Sequence, residues 1–70
     1  MVNSYVIDFE RACGLSTTEA PRVLGVAYTT YMQYRDGSRK LPRYIRLHMA
    51  TLLTLPADAR APIVEARRGK

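Results

Sequence analysis

Two short helical patterns separated by Gly25 limit what this chain can fold into. Upstream of the glycine, Ser16 stands three residues before Glu19. That is the spacing of a capping box, in which the hydroxyl accepts from one free N–H and the carboxylate from another. Ala20 and Leu24 then set an apolar stripe at i, i+4. Gly25 follows at once, where a helix stops on a residue free to take positive φ. Val26 is apolar, as expected of a residue that plugs the angle between two helices. A second pattern opens near Ala27 or Tyr28, with Tyr31 and Tyr34 as its inward positions at i, i+3. Asp36-Gly37-Ser38 ends it. The spacing predicts helices over about 17–24 and 28–35, joined by a tight turn, which is a helix-turn-helix.

Pro21 falls five residues into the first of these helices. It loses one backbone bond and crowds the carbonyl of Thr17, so a short or slightly opened first turn is expected. Before the pair, Asn3 or Ser4 can cap a helix in which Tyr5, Val6, Phe9, Ala12 and Cys13 recur at helical spacing. Asp8 and Glu10 are expected towards solvent near the positive end of that helix, and Gly14 ends it. After the pair, Pro42 suits the first turn of a further helix. Leu41, Ile45, His48, Met49, Leu52 and Leu53 form its apolar stripe, while Arg43, Tyr44 and Arg46 fall off it. Pro56 stops this helix at about Leu55. In the remaining extension, 56–70, Asp58 can cap a short helix and Pro62 can begin another. Ile63, Val64 and Ala66 offer an apolar patch for the core or for a second subunit, and the residues from Arg67 to Lys70 are expected to fray. The fold class is therefore all-α, four to five short helices, with a helix-turn-helix domain over 1–55.

Seventy residues make one small domain with a modest core, for which oligomerisation is a natural source of stability. An apolar content of 47% excludes a disordered chain. Lys and Arg number 11 against 6 Asp and Glu, a net charge of +5 that suggests an anionic partner, nucleic acid first and a membrane surface second. Cys13 is alone, so neither an intramolecular disulfide nor a cysteine-based zinc site is open to the chain, which fits a reducing cytoplasm. No run resembles a signal peptide or reaches transmembrane length. The single histidine, His48, lies on an apolar stripe, and the capping role of Ser16 accounts for that hydroxyl. With no Gly-rich phosphate loop and no spaced carboxylate pair, no catalytic residue, cofactor or metal is expected.

The segment resembles the helix-turn-helix of the phage Cro and C1 repressor superfamily. The resemblance is carried by Gly14-Leu15-Ser16 before the first helix, Glu19-Ala20 within it and Leu24-Gly25-Val26 at the turn. Tyr34, Asp36-Gly37 and Arg39-Lys40-Leu41-Pro42 continue it. With the flanking helices it covers roughly two thirds of the chain. Three positions depart from the family pattern: Pro21 stands for Ala, Tyr31 for a core Val or Ile, and Arg35 for a frequent acid. The phenol of Tyr31 needs room and a partner for its hydroxyl.

The resemblance implies that the loop after the second helix, and the start of the next, meet a DNA backbone. The residue chemistry agrees, because Arg35 to Arg46 hold five cations against one acid and phosphates need cations and free N–H groups. Ser38, Arg39, Lys40, Arg43 and Arg46 are the expected phosphate contacts, with Ser16, Thr17 and Thr18 beside a positive helix end. The outward face of the second helix shows Tyr28, Thr29, Met32 and Gln33, with Ala27 and Thr30 at its edges, as base readers. Gln33 offers adenine a donor and an acceptor, and Tyr28 and Met32 offer apolar surface to thymine methyls.

The expected function is a sequence-specific double-stranded DNA-binding transcriptional regulator. It would be a dimeric phage-type autorepressor that occludes a promoter at an inverted repeat, and an anti-CRISPR-associated repressor is one version. A chain this short leaves no room for a small-molecule effector domain. Helix four's exposed apolar residues, with Ile63 and Val64, are the expected dimer surface. Two readings compete: an antitoxin repressing a toxin operon, which would bind its toxin through 56–70, and an interaction protein that uses the same fold to inhibit a host protein.

Overall fold

The computed structural model describes residues 2–68. Five helices follow one another: α1 Ser4–Cys13, α2 Glu19–Leu24, α3 Tyr28–Asp36, α4 Arg43–Thr54 and α5 Ala57–Arg68. No strand occurs among the described residues, so the fold is all-α with short helices. None of these helices is long and apolar enough to cross a membrane.

The local stops act as their chemistry requires. Asn3 caps α1, its side-chain oxygen accepting from the N–H of Tyr5 at 3.0 Å and of Val6 at 3.4 Å. Gly14, at φ 65°, ends α1 in the left-handed region, with its own N–H and that of Leu15 returning to the carbonyls of Arg11 and Glu10. Gly25, at φ 75°, does the same for α2, where the N–H groups of Gly25 and Val26 both reach the carbonyl of Pro21. The capping box forms reciprocally: Glu19 N–H donates to Ser16 Oγ at 3.2 Å and Ser16 N–H to Glu19 Oε1 at 3.0 Å.

The proline departs from expectation. Regular α2 begins at Glu19, two residues later than its spacing suggests, so Pro21 lies in the first turn, where a helix has no use for the missing N–H. Residues 17 and 18 are a turn.

The core gathers Val6 and Phe9 from α1, Leu15, then Ala20, Val23 and Leu24 from α2. Tyr31 and Tyr34 come from α3, Ile45, Met49 and Leu52 from α4, and Val64 from α5. Full burial of a Phe or Met side chain contributes about 1.5–3 kcal/mol, so Phe9 and Met49 weigh heavily in so small a core. The apolar spacing of α1 holds for Val6 and Phe9, whereas Ala12 is exposed.

Glu10 reverses its expected position. It is buried, and Oε2 accepts from the Tyr31 hydroxyl and from Arg35 Nε, the latter at 2.9 Å. The phenol of Tyr31 thereby has its partner, and Arg35 finds its acid on α1. Burial first, then the bond to Glu10, pushes the Tyr31 hydroxyl far above the usual phenol range. Asn3 N–H also donates to the Arg35 carbonyl at 2.8 Å, so α1 grips α3 at both its side chains and its backbone.

The C-terminal segment is one helix rather than two, and it runs through Pro62. It lies against α2, with Val64 in the core and Ile63 half-buried. The expected fraying does not extend to Arg67 and Arg68. Arg67 Nη1 donates to the Val23 carbonyl at 3.1 Å and lies 3.0 Å from His48 Nε2. Arg68 reaches Glu19 Oε2 through Nε at 3.2 Å and Nη2 at 3.0 Å. The expectation for Gly69 and Lys70 lies outside the described residues.

Candidate nucleic-acid interface

α3 is held from behind by Tyr31 and Tyr34, which fixes the face it turns outward. Tyr28, half of whose surface is open at 51%, and the exposed Thr29 stand on that face near the helix start. Met32 is less available than expected: it is half-buried and packs against the core. Thr30, at the edge, is half-buried as well. Gln33 is half-buried, and its amide oxygen accepts from Arg39 Nε at 2.8 Å.

Beyond α3 the chain turns on Gly37, at φ 87°, and the loop is tied to the helix end. Asp36 Oδ1 accepts the Ser38 N–H at 2.8 Å, which holds the Asp36 carboxyl below its ordinary value. The Gln33 carbonyl accepts the Arg39 N–H at 3.1 Å and the Ser38 hydroxyl at 3.5 Å. Arg39 is thus bound to Gln33 twice, once through its backbone and once through its side chain. That coupling spans a helix end, which is why periodicity within α3 carries no sign of it.

Lys40, Arg43 and Arg46 are exposed and follow in quick succession. Pro42 supplies no side-chain acceptor at the start of α4, so the first N–H groups of that helix stand beside Arg43. Arg46 lies over the ring of Tyr5, 5.8 Å from its centroid, and the Tyr5 hydroxyl donates to the Arg46 carbonyl at 3.5 Å. An open cleft of about 510 Å³ runs here, with Lys40, Arg43 and Arg46 along it and Leu41, Leu47 and Ala50 as its apolar wall. Tyr5, from α1, is a part of this surface that sequence spacing does not reveal.

Arg35 does not belong to the free basic run, because Glu10 neutralises it and holds its guanidinium firmly charged. At the other end, Ser16 Oγ is committed to the cap and lies 3.0 Å from Thr18 Oγ1. Thr17 is half-buried and Thr18 exposed. Glu19 is held below its ordinary carboxyl value, first by the Ser16 N–H and then by Arg68. The start of α2 is therefore balanced internally, and Arg68, expected to be loose, is what balances it.

The expected dimer surface also changes. Val64 is buried at 4% and belongs to the core, so it is removed from any outer face. Tyr44 and Leu47 on α4 remain, exposed at 71% and 52%. Among the described residues no cluster of three potential metal ligands occurs. No family model matches the chain, and neither a curated protein nor a solved structure shows significant similarity to it.

Proposed function

We propose that this protein is a sequence-specific double-stranded DNA-binding transcriptional regulator, a dimeric repressor of the phage type that acts by covering a promoter. One arrangement carries the reading. A short helix with an outward face of Tyr28, Thr29 and Gln33 runs directly into a constrained loop and a cluster of exposed cations, Lys40, Arg43 and Arg46. In this reading α3 enters the major groove, and the loop with the start of α4 meets the flanking phosphates. The exposed Tyr44 and Leu47 join two copies, so that two reading helices address an inverted repeat with half-sites about 34 Å apart or a multiple of that.

Titration against a random duplex and against the chain's own upstream DNA, at several salt concentrations, tests this. The expected result is strongly salt-dependent binding to both and tighter binding to the upstream sequence. Salt-independent or undetectable binding to every duplex overturns the proposal.

A further inference from the structure

The double tie between Gln33 and Arg39 gives these residues a joint role. We infer that Gln33 and Arg39 form one composite reading unit for guanine, in which Gln33 aims the Arg39 guanidinium at the O6/N7 edge of the base. This deepens the proposed function and rests on it.

The geometry assigns the parts. Gln33 Oε1 takes the Nε hydrogen of Arg39 at 2.8 Å, and the Gln33 carbonyl takes the Arg39 N–H at 3.1 Å. The backbone bond fixes where residue 39 leaves the loop, and the side-chain bond fixes the plane of its guanidinium. Both terminal NH₂ groups of Arg39 remain without a partner among the described residues. A guanidinium held at Nε presents those two groups side by side, which matches the paired acceptors O6 and N7 of guanine in the major groove. An arginine steered in this way gives up little side-chain freedom on binding, because the free protein has already spent it.

The same bond argues against Gln33 acting alone on adenine. A Gln33 that paired with adenine would accept from N6 on Oε1 with the Arg39 guanidinium still held on the other lone pair of that oxygen, so the amide does not swing on its own. α3 has no arginine on its outward face, so this loop residue is what brings guanine readout to it.

The experiment is selection from a randomised duplex library by the wild type and by Gln33→Ala, Arg39→Ala and the double variant, each first checked for helicity by circular dichroism. The wild type is expected to enrich guanine at one fixed position of each half-site. Both single variants are expected to relax preference at that same position, Arg39→Ala by about tenfold or more. The double variant is expected to lose no more than Arg39→Ala, because the two residues act as one. Relaxation at two different positions, or an even loss of affinity with every preference kept, overturns the composite unit and leaves DNA binding standing. A wild type that retains no duplex overturns both this inference and the function on which it rests.

Discussion

Glu10 and Arg35 are twenty-five positions apart in the chain and meet at 2.9 Å, with the Tyr31 hydroxyl on the same carboxylate oxygen. A single acid on α1 thus fixes two residues of α3, one turn apart, and sets the rotation of that helix about its axis. The outward face of α3 depends on a residue that points away from it.

Removing that acid should be costly. Glu10→Ala leaves a buried phenol and a partly buried guanidinium without their acceptor, and is expected to lower stability by about 2–3 kcal/mol. Tyr31→Phe removes one donor and leaves the Glu10–Arg35 pair intact, so about 1 kcal/mol is expected. Urea unfolding of the two variants beside the wild type measures both. Equal losses would mean that the carboxylate is not the shared centre.

Acid should weaken the junction of α2 with α5. Glu19 ordinarily titrates near 4.5, and in the folded protein the Ser16 N–H and Arg68 hold it lower. Its stabilisation is complete above 4.5. It drains as pH falls below that value, because the unfolded chain takes up the proton first, and it is gone once pH has passed the lowered folded value. Glu19→Gln is expected to flatten the fall in melting temperature over this window, and a melting series in acid shows whether it does.

Phosphate contacts should appear in salt dependence. Lys40→Ala, Arg43→Ala and Arg46→Ala are each expected to reduce the slope of log affinity against log salt by about 0.9 per lost contact, with base preference unchanged. Arg35→Ala is expected to leave the slope alone and to lower stability instead, because Glu10 already neutralises that charge. Binding isotherms at four salt concentrations separate these cases.

Self-association should depend on α4. Leu47→Glu places a charge on the exposed face beside Tyr44 and is expected to yield a folded monomer that binds a half-site weakly. Sedimentation equilibrium at micromolar concentration gives the mass. A wild type that is already monomeric with and without operator would rule out the dimer.

Much of the architecture could be read from the sequence because its signals are local. Gly14, Gly25 and Gly37 each take a positive φ that other residues adopt at a cost, so each marks a helix end wherever the rest of the chain lies. The Ser16–Glu19 box is equally self-contained. What stayed hidden required a distant partner. Glu10 lies at i+4 from the buried Val6 and shares its side of α1, yet its charge reads as exposure until Tyr31 and Arg35 are brought beside it. Pro62 reads as a helix break because an interior proline costs about 3 kcal/mol. Docking Val64, Arg67 and Arg68 onto α2 and α4 outweighs that penalty. The Gln33–Arg39 tie escaped for the same reason, since neither propensity nor periodicity extends around a helix end.

The internal pairing of Glu10 and Glu19 has a consequence for the first moments of encounter. Carboxylates that could have offset the basic run are occupied by Arg35 and Arg68, and of the described cations without a carboxylate partner Arg39, Lys40, Arg43 and Arg46 stand close together while Arg11, Arg22, Arg60 and Arg67 lie elsewhere on the chain. A molecule whose unopposed charge is densest on one segment experiences a torque near a polyanion. Under the proposed function it would arrive already turned, with the Lys40–Arg46 side leading, and orientation in flight would add to the speed of encounter.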